Sequence, residues 1–484
     1  MSELAASAAP GGTIAAPLAA PAGGIVALMA ALVAACIAFQ LNASMLSPVL
    51  ATMGRELHAN DAAIGLSQTA FFTSAAIFST FLPRLSDTLG RKRVLFWMLV
   101  VMAAGTVLAA LAPNLEVLYL ARIIQGVSGP VVPLSLLMLR AEISDPKLYG
   151  TMLGVVTATN GGIAGIDALA GGFLAGSYGF RSVFWVIAVV AALATILVWF
   201  WARESRPSPN TRMDWVGVAS LSLSVGAFLI AFDEAGKLAA ANWILVGLLI
   251  LAAVVASVVF WRVERVRKDP LIAIPDICNR ATWALLLTTL LTMTGIFATI
   301  NGVVIGFAQN TPAGFGLQPG LASLALLTPY ALVGWIAGPL AGRYSPILGY
   351  GRMLRIGLLG SIIALAAMML FGLHSFPVLI AAAILLGITY AGTANIVLNG
   401  LGIVLSPKDN PGILPGLNAG AFNLGAALSF VILPAVQIFE TPVASSSTGY
   451  FWAILVGLII TVGALGTSFL IPRPVDAEVL GASK

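Results

Sequence analysis

Residues 83–94 read PRLSDTLGRKRV, and they separate two apolar runs near 63–85 and 93–112. The segment joins an acid, a glycine and three consecutive cations: Asp87, Gly90, Arg91, Lys92 and Arg93. The glycine suits a tight turn, and the cations can pair with the acid or with helix carbonyls. We therefore predict a short loop between two antiparallel helices, whose charged groups form a latch that breaks and re-forms during a conformational change.

The whole chain has the composition of a membrane protein. Of its 484 residues, 59% are hydrophobic and 9% are charged, whereas an average soluble domain is roughly 45–50% apolar and about 25% charged. A soluble fold could not bury that much apolar surface. We therefore predict an all-α integral membrane protein, and the abundant glycine and proline fit this prediction because both are common in membrane helices.

Apolar runs of about 20 residues predict fourteen transmembrane helices, arranged as six, two and six. The first six lie near 24–53, 63–85, 93–112, 115–139, 149–177 and 181–202. The inserted two lie near 213–233 and 242–263. The last six lie near 281–309, 319–342, 352–372, 376–405, 411–438 and 449–471. The predicted domains are a disordered tail (1–23), an N-terminal six-helix bundle (24–202), a linker with the inserted pair (203–280), a C-terminal six-helix bundle (281–471) and a second tail (472–484).

The basic residues predict the orientation of these helices. Most of the 24 Lys and Arg residues fall in loops on one side of the membrane, and only Arg55, Arg181 and Lys237 fall on the other. Cytoplasmic loops carry the Lys and Arg excess in membrane proteins. We therefore predict that both termini are cytoplasmic, in a cell inner membrane, and the Ala and Gly bias suggests a bacterium.

The fourth predicted helix contains a charged residue within its apolar run. Residues 119–129 read YLARIIQGVSG, and Arg122, Gln125, Gly126 and Gly129 share one helical face. A charge within the membrane is costly and usually functional. Arg122 therefore needs a partner inside the bundle.

Both segments resemble signatures of the major facilitator superfamily. The loop is similar to the pattern Gly-x-Leu-x-Asp-x-x-Gly-Arg-Lys/Arg, with Pro83 in place of the first glycine, and the fourth helix carries the Arg-x-x-Gln-Gly pattern that proton-coupled members link to proton transfer. Residues 213–217 (MDWVG), 268–271 (KDPL) and 416–418 (GLN) resemble the fourteen-helix drug/proton antiporter branch. The resemblance implies two pseudo-symmetric six-helix bundles that exchange drugs or other small lipophilic compounds for protons by alternating access.

Two departures from that branch concern acidic residues. The first helix has Asn42 where a Leu-Asp-x-Thr pattern is usual, and the fifth helix has Asp167-Ala168 where the antiporter signature has a Gly-Pro pair. Our hypothesis is that the membrane acid has moved, so that Asp167 neutralises Arg122 and carries the coupling proton. A static ion pair between two helices is the alternative. The departures also favour an alternative function, a permease or exporter for a specific metabolite or lipid, with uptake possible.

Polar residues within the predicted spans are candidates for the substrate cavity. They are Gln40, Asn42, Ser44, Gln125, Asn160, Asn301, Asn395 and Asn399. Each could instead form a hydrogen bond between helices.

Other classes of protein are disfavoured. The two histidines stand alone in predicted loops, no nucleotide-binding loop is present, and neither cysteine has a metal-ligand spacing. We therefore predict a protein that is not an enzyme and that has no cofactor and no metal. The basic clusters do not form the stripe that nucleic acid requires. The expected partners are a small-molecule substrate, protons and the bilayer, with the monomer as the functional unit.

Overall fold

The computed structural model describes residues 22–143, 146–205, 213–236, 241–267, 270, 272, 274–406, 413–439 and 446–473. Within these ranges the regular structure is helical, and fourteen long segments follow one another along the chain. They are α1 (Gly24–Glu56), α2 (Asp61–Leu89), α3 (Arg91–Ala110), α4 (Leu115–Glu142), α5 (Pro146–Tyr178), α6 (Phe180–Trp201), α7 (Trp215–Gly236), α8 (Trp243–Val266), α9 (Arg280–Gln309), α10 (Pro319–Leu348), α11 (Tyr350–Gly372), α12 (Phe376–Val404), α13 (Ile413–Phe439) and α14 (Thr448–Ser468). A short helix, Ile274–Cys278, precedes α9.

Twelve of these segments, among the described residues, are long and apolar enough to cross a membrane. The other two, α2 and α5, contain 29 and 33 residues. At 1.5 Å per residue they are about 43 and about 50 Å long. The prediction of an all-helical membrane protein is confirmed. The predicted tails lie largely outside the described residues, which begin at residue 22 and end at residue 473.

The turn at Gly90 is tighter than the sequence predicts. α2 continues to Leu89 and α3 begins at Arg91, so Gly90 alone reverses the chain, with φ of +102°. Glycine adopts this positive φ without steric cost. The predicted helix end at residue 85 is too early, because Pro83 is accommodated inside α2. Asp87 therefore lies in the last turn of α2, four residues before Arg91.

Two helix pairs join the N-terminal half (α1–α6) to the C-terminal half (α9–α14). α2 packs along α13, and α5 packs along α10. Small residues allow both contacts: a Cβ atom on Gly65 would lie 3.2 Å from the Phe430 carbonyl oxygen, and one on Gly172 would lie 2.6 Å from the Pro319 carbonyl oxygen. Close approach of this kind is how membrane helices gain packing energy without a hydrophobic driving force.

The inserted helices α7 and α8 pack on each other, and α7 lies against the junction of the two halves. It contacts both α2 and α13. The Trp215 ring of α7 lies 6.5 Å from the Phe81 ring of α2. The inserted pair therefore adds to the α2–α13 side of the molecule.

The helical bundle has two ends, which are called the vestibule face and the Gly90 face. The vestibule face holds residues 57–60 and 310–318, between α1 and α2 and between α9 and α10. The Gly90 face holds Gly90 and the chain after α6, where the Arg91 backbone N–H donates to Ser205 Oγ at 2.9 Å. Each half thus spans from one face to the other.

The close packing of α4 on α2 predicts a glycine that tolerates no side chain. A Cβ atom on Gly129 would approach the backbone of Ala75 far inside van der Waals contact, and overpacking of this kind costs about 1–3 kcal/mol. We expect Gly129→Ala to lower the thermal unfolding midpoint of the purified protein in detergent. Gly247→Ala is the matched control, because a Cβ atom there meets nothing within 4 Å. Equal midpoints for the two variants would contradict the packing of α4 on α2.

Candidate functional site

Arg122 is fully buried on α4, and neutral acceptors surround its guanidinium. Nη1 donates to Gln125 Oε1, and Nη2 donates to Gln68 Oε1, each at 2.6 Å. The backbone carbonyls of Asn42 on α1 and Ser67 on α2 accept further hydrogen bonds at 3.2 and 3.3 Å. The guanidinium therefore ties α4 to α1 and α2.

Two further contacts complete this arrangement. The guanidinium carbon of Arg122 lies 4.2 Å from the centre of the Phe71 ring, at cation–π distance. Gln125 Nε2 donates to Thr106 Oγ1 of α3 at 3.1 Å. We call Arg122, Gln125, Gln68, Phe71 and Thr106 the Arg122 cluster. The sequence identified Arg122 and Gln125 by their motif, whereas Gln68 carried no signal beyond being an amide within an apolar run.

Asp167 on α5 is 3% exposed and contacts α1. Ser44 Oγ donates to Asp167 Oδ2 at 2.5 Å, and Gln40 Nε2 donates to Ser44 Oγ at 2.9 Å. The other carboxyl oxygen, Oδ1, has no hydrogen-bond partner among the described residues. A buried carboxylate with an unused acceptor is costly to keep charged.

The predicted ion pair between Asp167 and Arg122 is not formed in this conformation. The partners of Arg122 are neutral amides and carbonyls, and the partner of Asp167 is a hydroxyl group. α1 contacts both α4 and α5, and each charged group bonds to a different residue of α1. Ser44 donates a hydrogen bond to Asp167, and the Asn42 carbonyl accepts one from Arg122, so both charged groups are hydrogen-bonded to α1. A role for either group in proton coupling stays a prediction.

The predicted cavity residues divide by burial. Asn42, Ser44, Gln125 and Asn301 are buried, whereas Gln40 and Asn395 are half-buried and Asn399 is exposed. Asn160 lies on α5, but its side chain is outside the described part of the structure. Gln125 and Ser44 bond to side chains of neighbouring helices in the N-terminal half. The Asn42 side chain donates only to the Ala38 carbonyl of its own helix, and its Oδ1 has no hydrogen-bond partner among the described residues. A role in the substrate cavity stays a prediction for all of these residues.

The predicted latch at the Gly90 face has an additional member. Arg91 forms an ion pair with Asp87 at 3.1 Å, and its Nη1 donates to the Leu137 carbonyl of α4 at 2.9 Å. Glu204, after α6, accepts the backbone N–H groups of Lys92 and Arg93 at 3.1 Å. A carboxylate at a helix N-terminus is favourable because it satisfies free N–H groups. No sequence pattern identifies Glu204, which is one of several charged residues that follow the apolar run of α6.

A cavity of about 550 Å³ opens at the vestibule face. Its wall combines apolar residues with polar side chains from both halves, which are Arg55, Asp61, Gln309, Gln318, Gln437 and Tyr450. Its floor includes Ser47, Gly302 and Phe430. Below Phe430, aromatic rings of both halves meet, with Phe72 of α2 lying 5.2 Å from Phe297 of α9 and 6.3 Å from Phe430 of α13.

Hydrogen bonds between the halves lie beside this cavity. They join Ser47 to Asn301 at 3.0 Å, Gln309 to the Pro48 carbonyl at 3.1 Å, and Gln437 to Asp61 at 3.0 Å. Towards the Gly90 end of α12, by contrast, Asn399 is exposed and Ile403 is 45% exposed. The halves are thus linked at the vestibule face, and α12 is not covered towards the Gly90 face.

Comparison with known proteins identifies the family. Residues 31–430 match the model of the Major Facilitator Superfamily. The uridine/deoxyuridine transporter of Lactococcus lactis subsp. cremoris (strain MG1363) is 48% identical over 454 residues, which cover 93% of this chain and 95% of that protein. The multidrug resistance protein Stp of Mycobacterium tuberculosis (strain CDC 1551 / Oshkosh) is 26% identical over 415 residues, covering 82% of this chain and 73% of that protein.

A solved structure gives the same fold. The human organic anion transporter MFSD10 superposes with a TM-score of 0.62 at 16% identity, over 94% of this chain and 100% of that one. At this identity the likeness concerns the fold alone. Together with the match over residues 31–430, it means that the chain belongs to the Major Facilitator Superfamily, as a multi-pass membrane transporter of small molecules and not an enzyme.

Proposed function

We propose that this chain transports a pyrimidine nucleoside of the uridine class. The observation that carries the proposal is the 48% identity to a uridine/deoxyuridine transporter over nearly the whole length of both chains. The likeness to a multidrug resistance protein is much weaker, at 26%. From the sequence alone, transport of a specific metabolite is the alternative to drug efflux. The comparison with known proteins favours that alternative, which is therefore the main proposal.

The side chains between the halves are compatible with a nucleoside. A nucleoside offers a flat base for stacking and several hydrogen-bonding groups. The half-buried rings of Phe297 and Phe422 lie 6.4 Å apart, while Asn395 is half-buried and Asn399 is exposed. A few placed polar groups among aromatic walls are typical of a specific small-molecule site.

We propose fourteen membrane spans, with both termini in the cytoplasm of a bacterial cell. α2 and α5 are long enough, and their packing along α13 and α10 leaves less of their surface to lipid than a peripheral helix has. The positive-inside distribution then makes the Gly90 face cytoplasmic. One chain contributes both halves of the site, so we propose the monomer as the functional unit.

We propose that transport is coupled to protons through Asp167. A charged carboxylate buried within a membrane-spanning helix bundle is unfavourable in free energy, and protonation removes that unfavourable term. Because Ser44 of α1 holds Asp167 of α5, a change in its charge alters the contact between two helices of the N-terminal half. Protonation and helix position are therefore linked.

Uridine counterflow tests the proposed function directly. Purified protein is reconstituted into liposomes loaded with unlabelled uridine, and radioactive uridine is added outside. We expect saturable accumulation that deoxyuridine abolishes and ethidium leaves unchanged. Transport of ethidium without any accumulation of uridine would contradict the proposed function and support drug efflux instead.

Asp167→Asn tests the coupling. The substitution preserves size but removes the charge change, so we expect loss of accumulation driven by a pH gradient while uridine counterflow persists. The matched control is Glu116→Gln, which neutralises an exposed acid at the start of α4. Full pH-driven accumulation by Asp167→Asn would place the coupling elsewhere.

A cross-link at the vestibule face tests whether the halves must separate there. Ser47 Oγ and Asn301 Oδ1 are 3.0 Å apart, so Ser47→Cys with Asn301→Cys, in a Cys36→Ala, Cys278→Ser background, should form a disulfide under oxidation. We expect oxidation to abolish counterflow and a reductant to restore it. Each single cysteine variant is the control. A cross-linked protein that still transports would contradict alternating access through this face.

A further inference from the structure

Two asparagines on α12 are hydrogen-bonded to each other, one helical turn apart. Asn399 Nδ2 donates to Asn395 Oδ1 at 3.0 Å and to the Asn395 backbone carbonyl, also at 3.0 Å. Asn395 is half-buried and Asn399 is exposed. This contact fixes the orientation of both amides, because it uses the nitrogen of one and the oxygen of the other.

The neighbours of α12 define the direction in which the pair faces. On one side a Cβ atom on Gly392 would meet Ala337 of α10, and on the other Asn418 Nδ2 of α13 donates to the Leu398 carbonyl. Behind α12, a Cβ atom on Gly400 would meet the Tyr350 ring of α11. At 100° per residue, positions 395 and 399 occupy the sector between the α10 side and the α13 side. The pair therefore faces the gap between these two helices.

That gap opens towards the N-terminal half. α10 packs along α5 and α13 packs along α2, so the two helices flanking the asparagine pair are those that join the halves. The space between them is bounded by both halves of the transporter. The asparagine pair therefore lies on the side of α12 that faces the N-terminal half.

Within the described part of the chain, the pair leaves one amide acceptor and one amide donor unused, one helical turn apart. Among the described residues, neither Asn399 Oδ1 nor Asn395 Nδ2 has a hydrogen-bond partner, whereas the other two amide atoms bond to each other. A donor next to an acceptor is the complement of a cis-amide edge, in which an N–H group adjoins a carbonyl oxygen. The base of uridine carries such an edge at N3–H and its neighbouring carbonyls.

We propose that Asn395 and Asn399 bind the imide edge of the nucleobase, an inference that rests on the proposed transport of uridine. The base N3–H donates to Asn399 Oδ1, and Asn395 Nδ2 donates to an adjacent base carbonyl. The asparagine pair thus determines specificity for the base, and other residues bind the sugar. A site built to bond an N–H group rejects analogues that lack it, because its acceptor is then left unpaired.

Competition by 3-methyluridine, which lacks the N3–H donor, tests this assignment. In the counterflow assay we expect wild-type protein to prefer uridine over 3-methyluridine by roughly tenfold or more, consistent with one lost hydrogen bond and a steric clash. Asn399→Ala should lower the apparent affinity for uridine by about tenfold, so that uridine and 3-methyluridine bind with similar affinity. Asn395→Ala should lower the affinity for both compounds by a similar factor, because both retain the carbonyl that Asn395 would bind.

Ile403→Ala is the matched control, since it trims an exposed side chain one turn further along the same helix. We expect it to keep the wild-type preference. If Asn399→Ala transports uridine and keeps the full preference, the asparagine pair does not bind the base and only this inference fails. If wild-type protein transports no uridine at all, the proposed function fails and the inference fails with it.

Discussion

The guanidinium of Arg122 has no access to water, and its hydrogen bonds set the arrangement of the N-terminal half. It bonds to side chains and carbonyls on α1, α2 and its own helix, and Gln125 extends the contact to α3. A buried charge without such partners is strongly unfavourable. Four helices must therefore keep their relative positions for the charge to remain satisfied, which makes the α1–α4 assembly one mechanical unit.

Asp167 does not act as the counter-ion of Arg122 in this conformation. Because neutral amides already satisfy the cation, Asp167 is not needed as a counter-ion and can bond to Ser44 instead. The Arg122 cluster and Asp167 are thus bonded separately to α1, the first through the Asn42 carbonyl and the second through Ser44. Polar side chains link the two halves at the vestibule face, and glycines such as Gly65 and Gly172 allow the close approach of α2 to α13 and of α5 to α10. This distribution favours movement of the two halves as rigid bodies.

Much of this arrangement could be predicted from local sequence, and the limits have physical causes. The apolar runs, the turn at Gly90 and the Arg122–Gln125 face are set by neighbouring residues, so they are visible in a single sequence. The partnership of Arg122 with Gln68, of Asp167 with Ser44 and of Arg93 with Glu204 depends on which helices touch, which no local pattern encodes. The drug/proton antiporter branch is not confirmed, because the relative with 48% identity is a uridine/deoxyuridine transporter and the multidrug resistance protein is only 26% identical.

Equilibrium binding of uridine to the purified protein tests the central claim, that this transporter recognises a nucleoside, most directly. Isothermal titration calorimetry in detergent requires no coupling ion and no assumption about direction. We expect one saturable site for uridine, from which deoxyuridine displaces it, and no saturable heat with tetraphenylphosphonium, a lipophilic cation. Saturable binding of tetraphenylphosphonium together with no uridine binding would contradict the claim that the transporter recognises a nucleoside.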